Sequence, residues 1–240
     1  MKVNCSLGGA PIIYVCKLDI ELEEEIFWTS LSRVDAVKRE RILRYYRRED
    51  AWRSLLADLL LRTVLHDQFH LKENELVFKI DTYGKPYLYK REDINFNLTH
   101  SGEWIGCAVG TAPVGIDIEQ IRPNNLEVAE RFFHPEEYKV IQMLPQNKRL
   151  DYFYELWTLK EGYSKALGKG LSLAFDSFAV VTSDGTQQLS QHEQALGYRC
   201  RTYTLEEGYK MAACSLGGVL PDQLCFADLT QVLDGRLSLC

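Results

Sequence analysis

The stretch Val114-Gly115-Ile116-Asp117-Ile118-Glu119 predicts a β-strand whose two faces differ in chemistry. Side chains alternate across a strand, so the three aliphatic residues share one face, and Gly115, Asp117 and Glu119 share the other. Neighbouring carboxylates repel each other unless a positive charge lies between them. The pattern therefore fits either a strand that holds a hard cation such as Mg²⁺, or the exposed acidic edge of a sheet. Gly115 would let a ligand approach the backbone.

A second motif lies further along the chain, in an amphipathic segment that predicts a long helix. Glu161 and Lys165 are spaced i,i+4 and share one helix face. An exposed ion pair at this spacing contributes little to stability. Beside a dicarboxylate strand, Glu161 could instead be a third metal ligand or a base, and Lys165 could meet a phosphate.

A third motif ends the segment in which Ile94, Phe96 and Leu98 alternate with polar residues, a pattern typical of a half-buried strand. The strand closes on Thr99-His100-Ser101, before a turn at Ser101-Gly102. A histidine in this place is commonly structural, but His100 beside small polar donors could also bind a phosphate.

The chain divides best at Gly110-Thr111-Ala112-Pro113, which gives subdomains 1–112 and 113–240. Each half predicts helices packed on an antiparallel sheet, with Ser32 and Asp35 forming a capping box in the first half and Gly168 ending a long helix in the second. Strands are predicted at 12–18, from 94, at 104–109, from 114, and at 178–182, 198–204 and 209–215.

Composition bounds the class of protein. The 240 residues are 46% hydrophobic and 26% charged, which excludes fibrous and disordered chains. A net charge of −6 disfavours nucleic acid as a partner, whereas the Lys- and Arg-rich stretch 33–53 suits either a small anionic ligand or a solvated helix face. Seven scattered cysteines without a CxxC pair, no signal peptide and no membrane-length apolar run predict reduced thiols and a cytoplasmic protein.

Taken together, the three motifs resemble the Sfp-type 4′-phosphopantetheinyl transferases. That family carries a Gly-x-Asp strand followed by an aromatic-x-x-Lys-Glu-x-x-x-Lys helix, here Gly115–Asp117 and Trp157–Lys165. The segment Phe96–Ser101 is similar to its Phe/Trp-Asn-x-Ser-His-Ser motif, with Thr99 in place of a serine. The stretches Gly84–Pro86 and Asp176–Phe178 also match the family.

The resemblance implies an α+β fold of two similar, pseudo-two-fold related subdomains with the active site between them. It implies transfer of the phosphopantetheine arm of coenzyme A to a carrier-protein serine, releasing 3′,5′-ADP. Mg²⁺ would be bound by Asp117, Glu119 and Glu161; Glu161 would accept the serine proton, directly or through water, and Lys165 would reach the phosphates. Coenzyme A would be contacted by Lys38, Arg41, Arg53, Ser54, Lys85, Thr99, His100 and Lys165.

Two other functions fit parts of the pattern. Another Mg²⁺-dependent enzyme acting on a phosphoanhydride would suit the Asp117 and Glu119 pair equally well, but would not require Lys85, Thr99 and His100. A non-catalytic coenzyme A binding module would not require three carboxylates. The resemblance further implies an acyl or peptidyl carrier protein as partner, and a monomer is expected because both halves of the cleft lie in one chain. Two interpretations fit Phe132, Phe133 and Tyr138, namely docking of the carrier protein and packing in the core.

Overall fold

The computed structural model describes residues 9–18, 23–123, 126–183, 186–191 and 194–237. The helices are α1 (Glu24–Leu31), α2 (Ala36–Leu43), α3 (Arg48–Phe69), α4 (Leu126–Phe132), α5 (Pro135–Met143), α6 (Gln146–Leu167) and α7 (Leu229–Asp234). The strands are β1 (Ile12–Lys17), β2 (Phe78–Ile80), β3 (Pro86–Leu88), β4 (Asn95–Ser101), β5 (Trp104–Gly110), β6 (Val114–Gln120), β7 (Ala179–Ser183), β8 (Thr186–Gln191), β9 (Gln194–Tyr203), β10 (Tyr209–Leu216) and β11 (Cys225–Ala227).

The strands form two main sheets, one in each half of the fold. The first has the order β11-β1-β5-β4 and the second the order β6-β10-β9-β8-β7, while β2 and β3 form a separate hairpin. A 22-residue helix packs on each main sheet, α3 on β4 and β5, and α6 on β6 and β10. The predicted α+β fold of two subdomains is therefore confirmed. One strand pair, β1 with β11, is parallel and adds to the antiparallel pattern that the sequence predicts.

The two sheets meet edge to edge where β4 lies beside β6. Side chains of β4 take the place of backbone carbonyls there, and each accepts a hydrogen bond from a backbone N–H of β6. The three bonds run from Ile116 N to Asn97 Oδ1 (2.8 Å), from Ile118 N to Thr99 Oγ1 (3.1 Å) and from Gln120 N to Ser101 Oγ (3.1 Å). Because a buried N–H needs a partner, this ladder lets the two sheet edges approach each other without a continuous backbone pairing.

The two faces of β6 have different roles, as the alternation predicts. Ile116 and Ile118 are fully buried in a core with Ile13 and Val15 of β1. The opposite face, which carries Asp117 and Glu119, turns toward α6.

Gly115 serves the contact between β6 and α6. A Cβ atom at this position would lie well inside van der Waals distance of the Gly162 carbonyl oxygen and the Ala166 amide nitrogen. The expectation that a ligand approaches the backbone at Gly115 is wrong, because the backbone of α6 already fills that space.

Two further expectations need correction. Asp35, and not Ser32, caps α2 by accepting a hydrogen bond from Lys38 N, because Ser32 is the residue that ends α1. The expectation of reduced thiols is wrong for Cys200 and Cys214, which face each other on β9 and β10 and form a disulfide, and for Cys225, which is also disulfide-bonded.

The C-terminal part of the chain returns to the first half. There β11 pairs with β1, and α7 packs against α3. No helix within the described residues is long and apolar enough to cross a bilayer.

Candidate active site

The candidate active site lies where β4, β6 and α6 meet. Asp117 projects from β6 toward Lys165 in the last turn of α6, and the Lys165 Nζ to Asp117 Oδ1 distance is 2.6 Å. The same ammonium group donates to the Ile116 carbonyl at 3.2 Å and to Thr99 Oγ1 at 3.4 Å. The structure thus brings together residues from three separate sequence motifs around one carboxylate.

Asp117 is the most deeply buried of the three acidic residues at this site, with 4% of its surface exposed. Burial raises the pKa of Asp117, while Lys165 opposes that shift. Its Oδ1 atom accepts hydrogen bonds from Lys165 and Thr99, but its Oδ2 atom is buried and has no hydrogen-bond partner among the described residues. A buried carboxylate oxygen without a partner is costly, and a bound cation would satisfy it.

Glu119 and Glu161 add negative charge near Asp117. Burial, and then the charge of Asp117, raise the pKa of Glu119 to about 7, and the hydrogen bond from Ser101 opposes this. The pKa of Glu161 is also raised, again by burial first and by Asp117 second. The three carboxylates therefore act on one another electrostatically.

In the described part of the chain, no three His, Cys, Asp or Glu side chains form a ready-made metal cluster. Even so, the donor set fits Mg²⁺ in its chemistry. This ion prefers carboxylate oxygens, its charge would offset the mutual repulsion of the three acids, and the buried Oδ2 of Asp117 needs a partner.

His100 lies at the end of β4 beside a cleft of about 360 Å³ that Arg53, Glu119 and Trp157 also line. The pKa of His100 is lowered to about 4, first by burial and then by the positive charges of Arg53, Lys165 and Lys38. Arg53 donates to the Gly102 carbonyl at 2.8 Å. The cations around His100, which add to the effect of burial on its pKa, suit an anionic ligand.

Lys38 and Arg41 line a second groove of about 420 Å³, whose walls include Phe78, Phe96 and Leu98. Lys38 is close enough to His100 for its charge to lower the histidine pKa, which links this groove electrostatically with the cleft. The groove combines these two cations with aromatic walls, but Asp35 and Asp58 also line it, and Lys38 Nζ lies 3.7 Å from Asp58 Oδ1.

Lys85, Ser54 and Thr99, which the resemblance assigns to coenzyme A, lie within protein surroundings in this structure. Lys85 Nζ donates to the carbonyls of Lys165 (2.7 Å) and Ala166 (3.1 Å) near the end of α6, and burial lowers its pKa. Ser54 and Thr99 are both buried. The coenzyme A contacts of these three residues stay predictions.

Lys160, which belongs to the same helix motif, has a structural environment. Its side chain is fully buried, and its Nζ lies 2.8 Å from Glu137 Oε2 while donating to the carbonyls of Phe175 (2.8 Å) and Phe178 (2.7 Å). This ammonium therefore holds the 175–178 segment against α5 and α6.

Sequence reasoning placed Ser101 only among the small polar donors beside His100, and it missed three residues that line the cleft. Ser101 contacts Glu119, and Arg122, Gln120 and Tyr154 line the cleft. The period-two spacing of Asn97, Thr99 and Ser101 was the available signal for Ser101, because it places all three side chains on one face of a strand. Of the docking candidates, Phe133 is buried against Phe153, Tyr138 is partly buried in the same cluster, and Phe132 is 49% exposed.

Comparison with known proteins gives consistent matches over most of the chain. Residues 22–112 match a family model described as "4′-phosphopantetheinyl transferase, N-terminal", and residues 113–214 match one described as "4′-phosphopantetheinyl transferase superfamily". The chain is 37% identical to 4′-phosphopantetheinyl transferase Sfp of Bacillus subtilis (strain 168) over 222 residues, which covers 92% of this chain and 99% of that protein. Another 4′-phosphopantetheinyl transferase from Bacillus subtilis is 42% identical, over 77% of this chain and 83% of its own.

Among solved structures, holo-[acyl-carrier-protein] synthase (AcpS) of Thermotoga maritima aligns with 45% of this chain and 64% of its own, at 23% identity and a TM-score of 0.38. This similarity is too low to add to the assignment.

Proposed function

Because the chain belongs to the 4′-phosphopantetheinyl transferase family, we propose that it transfers the 4′-phosphopantetheine group of coenzyme A to a serine of an acyl or peptidyl carrier protein, releasing 3′,5′-ADP. The observation that carries this proposal is the set of acidic and basic residues at the junction of the two sheets. Asp117 pairs there with Lys165 and keeps one buried oxygen without a partner.

Asp117, Glu119 and Glu161 would hold Mg²⁺. When bound, the ion would neutralise charge on the diphosphate of coenzyme A. The proposal rests on the donor chemistry of the three acids and on their mutual electrostatic effects.

The reaction needs a proton acceptor and a cation near the phosphates. The serine oxygen of the carrier would attack the phosphorus that bears the pantetheine arm. The bond from that phosphorus to the oxygen of the departing 3′,5′-ADP would break, and the electron pair would leave on that oxygen. Glu161 would accept the serine proton, directly or through one water. Lys165 would stabilise the negative charge that develops on the leaving group.

The nucleotide end of coenzyme A would use the basic residues of the first half. Arg53 and His100 line the same cleft and would bind the 3′-phosphate, while Lys38 and Arg41 would face the nucleotide across the apolar groove. Direct contacts of Ser54, Lys85 and Thr99 with coenzyme A would require these side chains to exchange their present surroundings.

We also propose a division of the chain at residues 112 and 113, a monomeric enzyme and a cytoplasmic location. The location rests on coenzyme A as substrate, because the Cys200–Cys214 disulfide removes the support that reduced thiols would have given. The two family models meet at that boundary, and one long helix packs on each main sheet, although residues 225–237 return to the first sheet. The cleft draws residues from both halves of one chain, which supports the monomer. Sedimentation at micromolar concentration should give a single species of 27.7 kDa, whereas a stable oligomer would contradict it.

The transfer is tested by incubating the protein with coenzyme A, Mg²⁺ and an apo carrier protein. The carrier should gain the mass of one phosphopantetheine group, and 3′,5′-ADP should appear in equal amount. Cleavage of coenzyme A without a change in carrier mass would instead indicate a hydrolase. Binding of coenzyme A without cleavage would indicate a non-catalytic module.

A further inference from the structure

Two hydroxyl groups of β4 connect the backbone of β6 to its carboxylates. Ser101 Oγ accepts from Gln120 N (3.1 Å) and donates to Glu119 Oε2 (2.9 Å). Thr99 Oγ1 accepts from Ile118 N (3.1 Å) and donates to Asp117 Oδ1 (3.3 Å). Each hydroxyl thus accepts a hydrogen bond from the backbone N–H of one β6 residue and donates one to the carboxylate of the residue before it.

The directions of these bonds follow from the chemistry of the groups. A backbone N–H can only donate, so the hydroxyl oxygen must be its acceptor, and the single hydroxyl proton remains for the carboxylate. A carboxylate that accepts a hydrogen bond from a fixed hydroxyl loses rotational freedom, as metal-binding carboxylates commonly do through their outer partners.

The third bond of the ladder supplies a natural comparison. Asn97 Oδ1 accepts from Ile116 N at 2.8 Å, and the residue before Ile116 is Gly115, which has no side chain to orient. Asn97 therefore joins the sheets in the same way as Ser101 does, but it has no carboxylate partner among its hydrogen bonds to β6.

We infer that Ser101 and Thr99 are positioning residues that orient Glu119 and Asp117 for the bound cation, with Ser101 acting on Glu119 and Thr99 on Asp117. The inference rests on the proposed function, because it takes these acids to be the cation ligands. It gives a reason for hydroxyl side chains at both positions, since an alanine or valine would leave a β6 N–H without its acceptor and would remove one hydrogen bond from a carboxylate.

The experiment compares Ser101→Ala with Asn97→Ala, each of which removes one bond of the ladder. Binding of free Mn²⁺ to the folded protein, with and without coenzyme A, is followed by the loss of the free-ion signal in electron paramagnetic resonance. Ser101→Ala should weaken Mn²⁺ binding by roughly ten- to a hundredfold, the effect typical of removing an outer partner of a metal ligand. It should also lower kcat at fixed Mg²⁺ while the KM for coenzyme A stays near wild type. Asn97→Ala should keep wild-type Mn²⁺ affinity. Ser101→Thr, which keeps a hydroxyl group, should bind Mn²⁺ nearly as tightly as the wild type does.

Equal Mn²⁺ affinity of the wild type, Ser101→Ala and Asn97→Ala would overturn the inference, and so would equal losses in both variants. If Ser101→Ala fails to fold, the Mn²⁺ affinities of Thr99→Val and Thr99→Ser are compared instead, because only the second keeps the hydroxyl that contacts Asp117. Equal Mn²⁺ affinity of those two variants would overturn the inference. If the wild-type protein modifies the carrier but binds neither Mn²⁺ nor Mg²⁺, the metal assignment is wrong, and this inference is wrong with it. A wild type that binds Mn²⁺ but leaves the carrier unmodified would contradict the proposed function alone.

Discussion

At the scale of single residues, His100 shows how the site can recognise an anion. Its pKa of about 4 means that the imidazole is neutral near pH 7 when no ligand is bound, because burial and the charges of Arg53, Lys165 and Lys38 all disfavour its protonated form. A phosphate placed beside it would reverse part of that effect.

We expect His100→Ala to raise the KM for coenzyme A about ten- to a hundredfold, which corresponds to loss of one charge-assisted hydrogen bond of roughly 1.5–3 kcal/mol. The effect on kcat should be smaller, because the 3′-phosphate is remote from the bond that breaks. Steady-state kinetics with coenzyme A and with 3′-dephospho-coenzyme A measure this. A variant that still prefers coenzyme A as strongly as the wild type does would show that His100 does not contact the 3′-phosphate.

The lowered pKa of His100 also predicts that the folded protein loses stability in acid. Because the pKa of His100 is lower in the folded protein than its ordinary value of 6.5, the unfolded chain takes up a proton first as the pH falls. This contribution to stability is present above about pH 6.5 and is lost progressively down to about pH 4. Urea unfolding across this range should show a smaller loss of stability for His100→Gln than for the wild type. Parallel curves would indicate that His100 titrates normally in the folded state.

At the scale of elements, the contact between β6 and α6 sets the distance between the acidic strand and Lys165. Gly115 and Gly162 face each other across this contact, but they differ in the space around them. A Cβ atom at Gly115 would meet backbone atoms of α6, whereas a Cβ atom at Gly162 would lie 3.7 Å from its nearest neighbours.

Gly115→Ala should therefore destabilise the protein by about 1–3 kcal/mol through overpacking, and it should lower activity by displacing Asp117 relative to Lys165. Gly162→Ala is the matched variant on the other side of the contact. It should be neutral or up to about 1 kcal/mol stabilising, because alanine is favoured over glycine inside a helix. Denaturant unfolding of both variants tests this pair. Equal destabilisation by the two substitutions would contradict the asymmetry.

The elements also show what the sequence could predict. β1, β6, β7 and β10 begin and end within about two residues of their predicted bounds, because alternation of apolar and polar residues is a local property. Pairing between distant segments is not local, so the parallel partner of β1 and the packing of α7 on α3 were not predicted.

Within the site, too, the sequence predicts local features but not contacts between distant segments. Asp117, Glu161 and Lys165 could be singled out from spacing and from the family resemblance, and the structure places Asp117 beside Lys165. That Thr99 and Ser101 contact the carboxylates depends on which sheet edges meet, and no residue spacing gives that information.

At the scale of the whole molecule, the site exists only because two sheets join at their edges. The first half contributes His100, Arg53 and the hydroxyls of β4, and the second half contributes the carboxylates and Lys165. Under the proposed function, the first half would bind the nucleotide end of coenzyme A, and the second half would carry out the chemistry at the diphosphate. A substitution of an acidic residue in β6 should therefore lower the rate of transfer more than it lowers the affinity for coenzyme A.

The most direct test is to compare Asp117→Asn with the wild type in two measurements on the same preparation, namely calorimetric affinity for coenzyme A and the rate at which an apo carrier gains phosphopantetheine mass. Asparagine keeps the size of the side chain but removes the charge that pairs with Lys165 and would hold the cation. We predict that coenzyme A affinity stays within about threefold of wild type, less than 1 kcal/mol, while transfer falls by a hundredfold or more, about 2.7 kcal/mol. A parallel fall in affinity and rate, or a variant that transfers at the wild-type rate, would contradict the assignment of Asp117 to the chemistry of transfer.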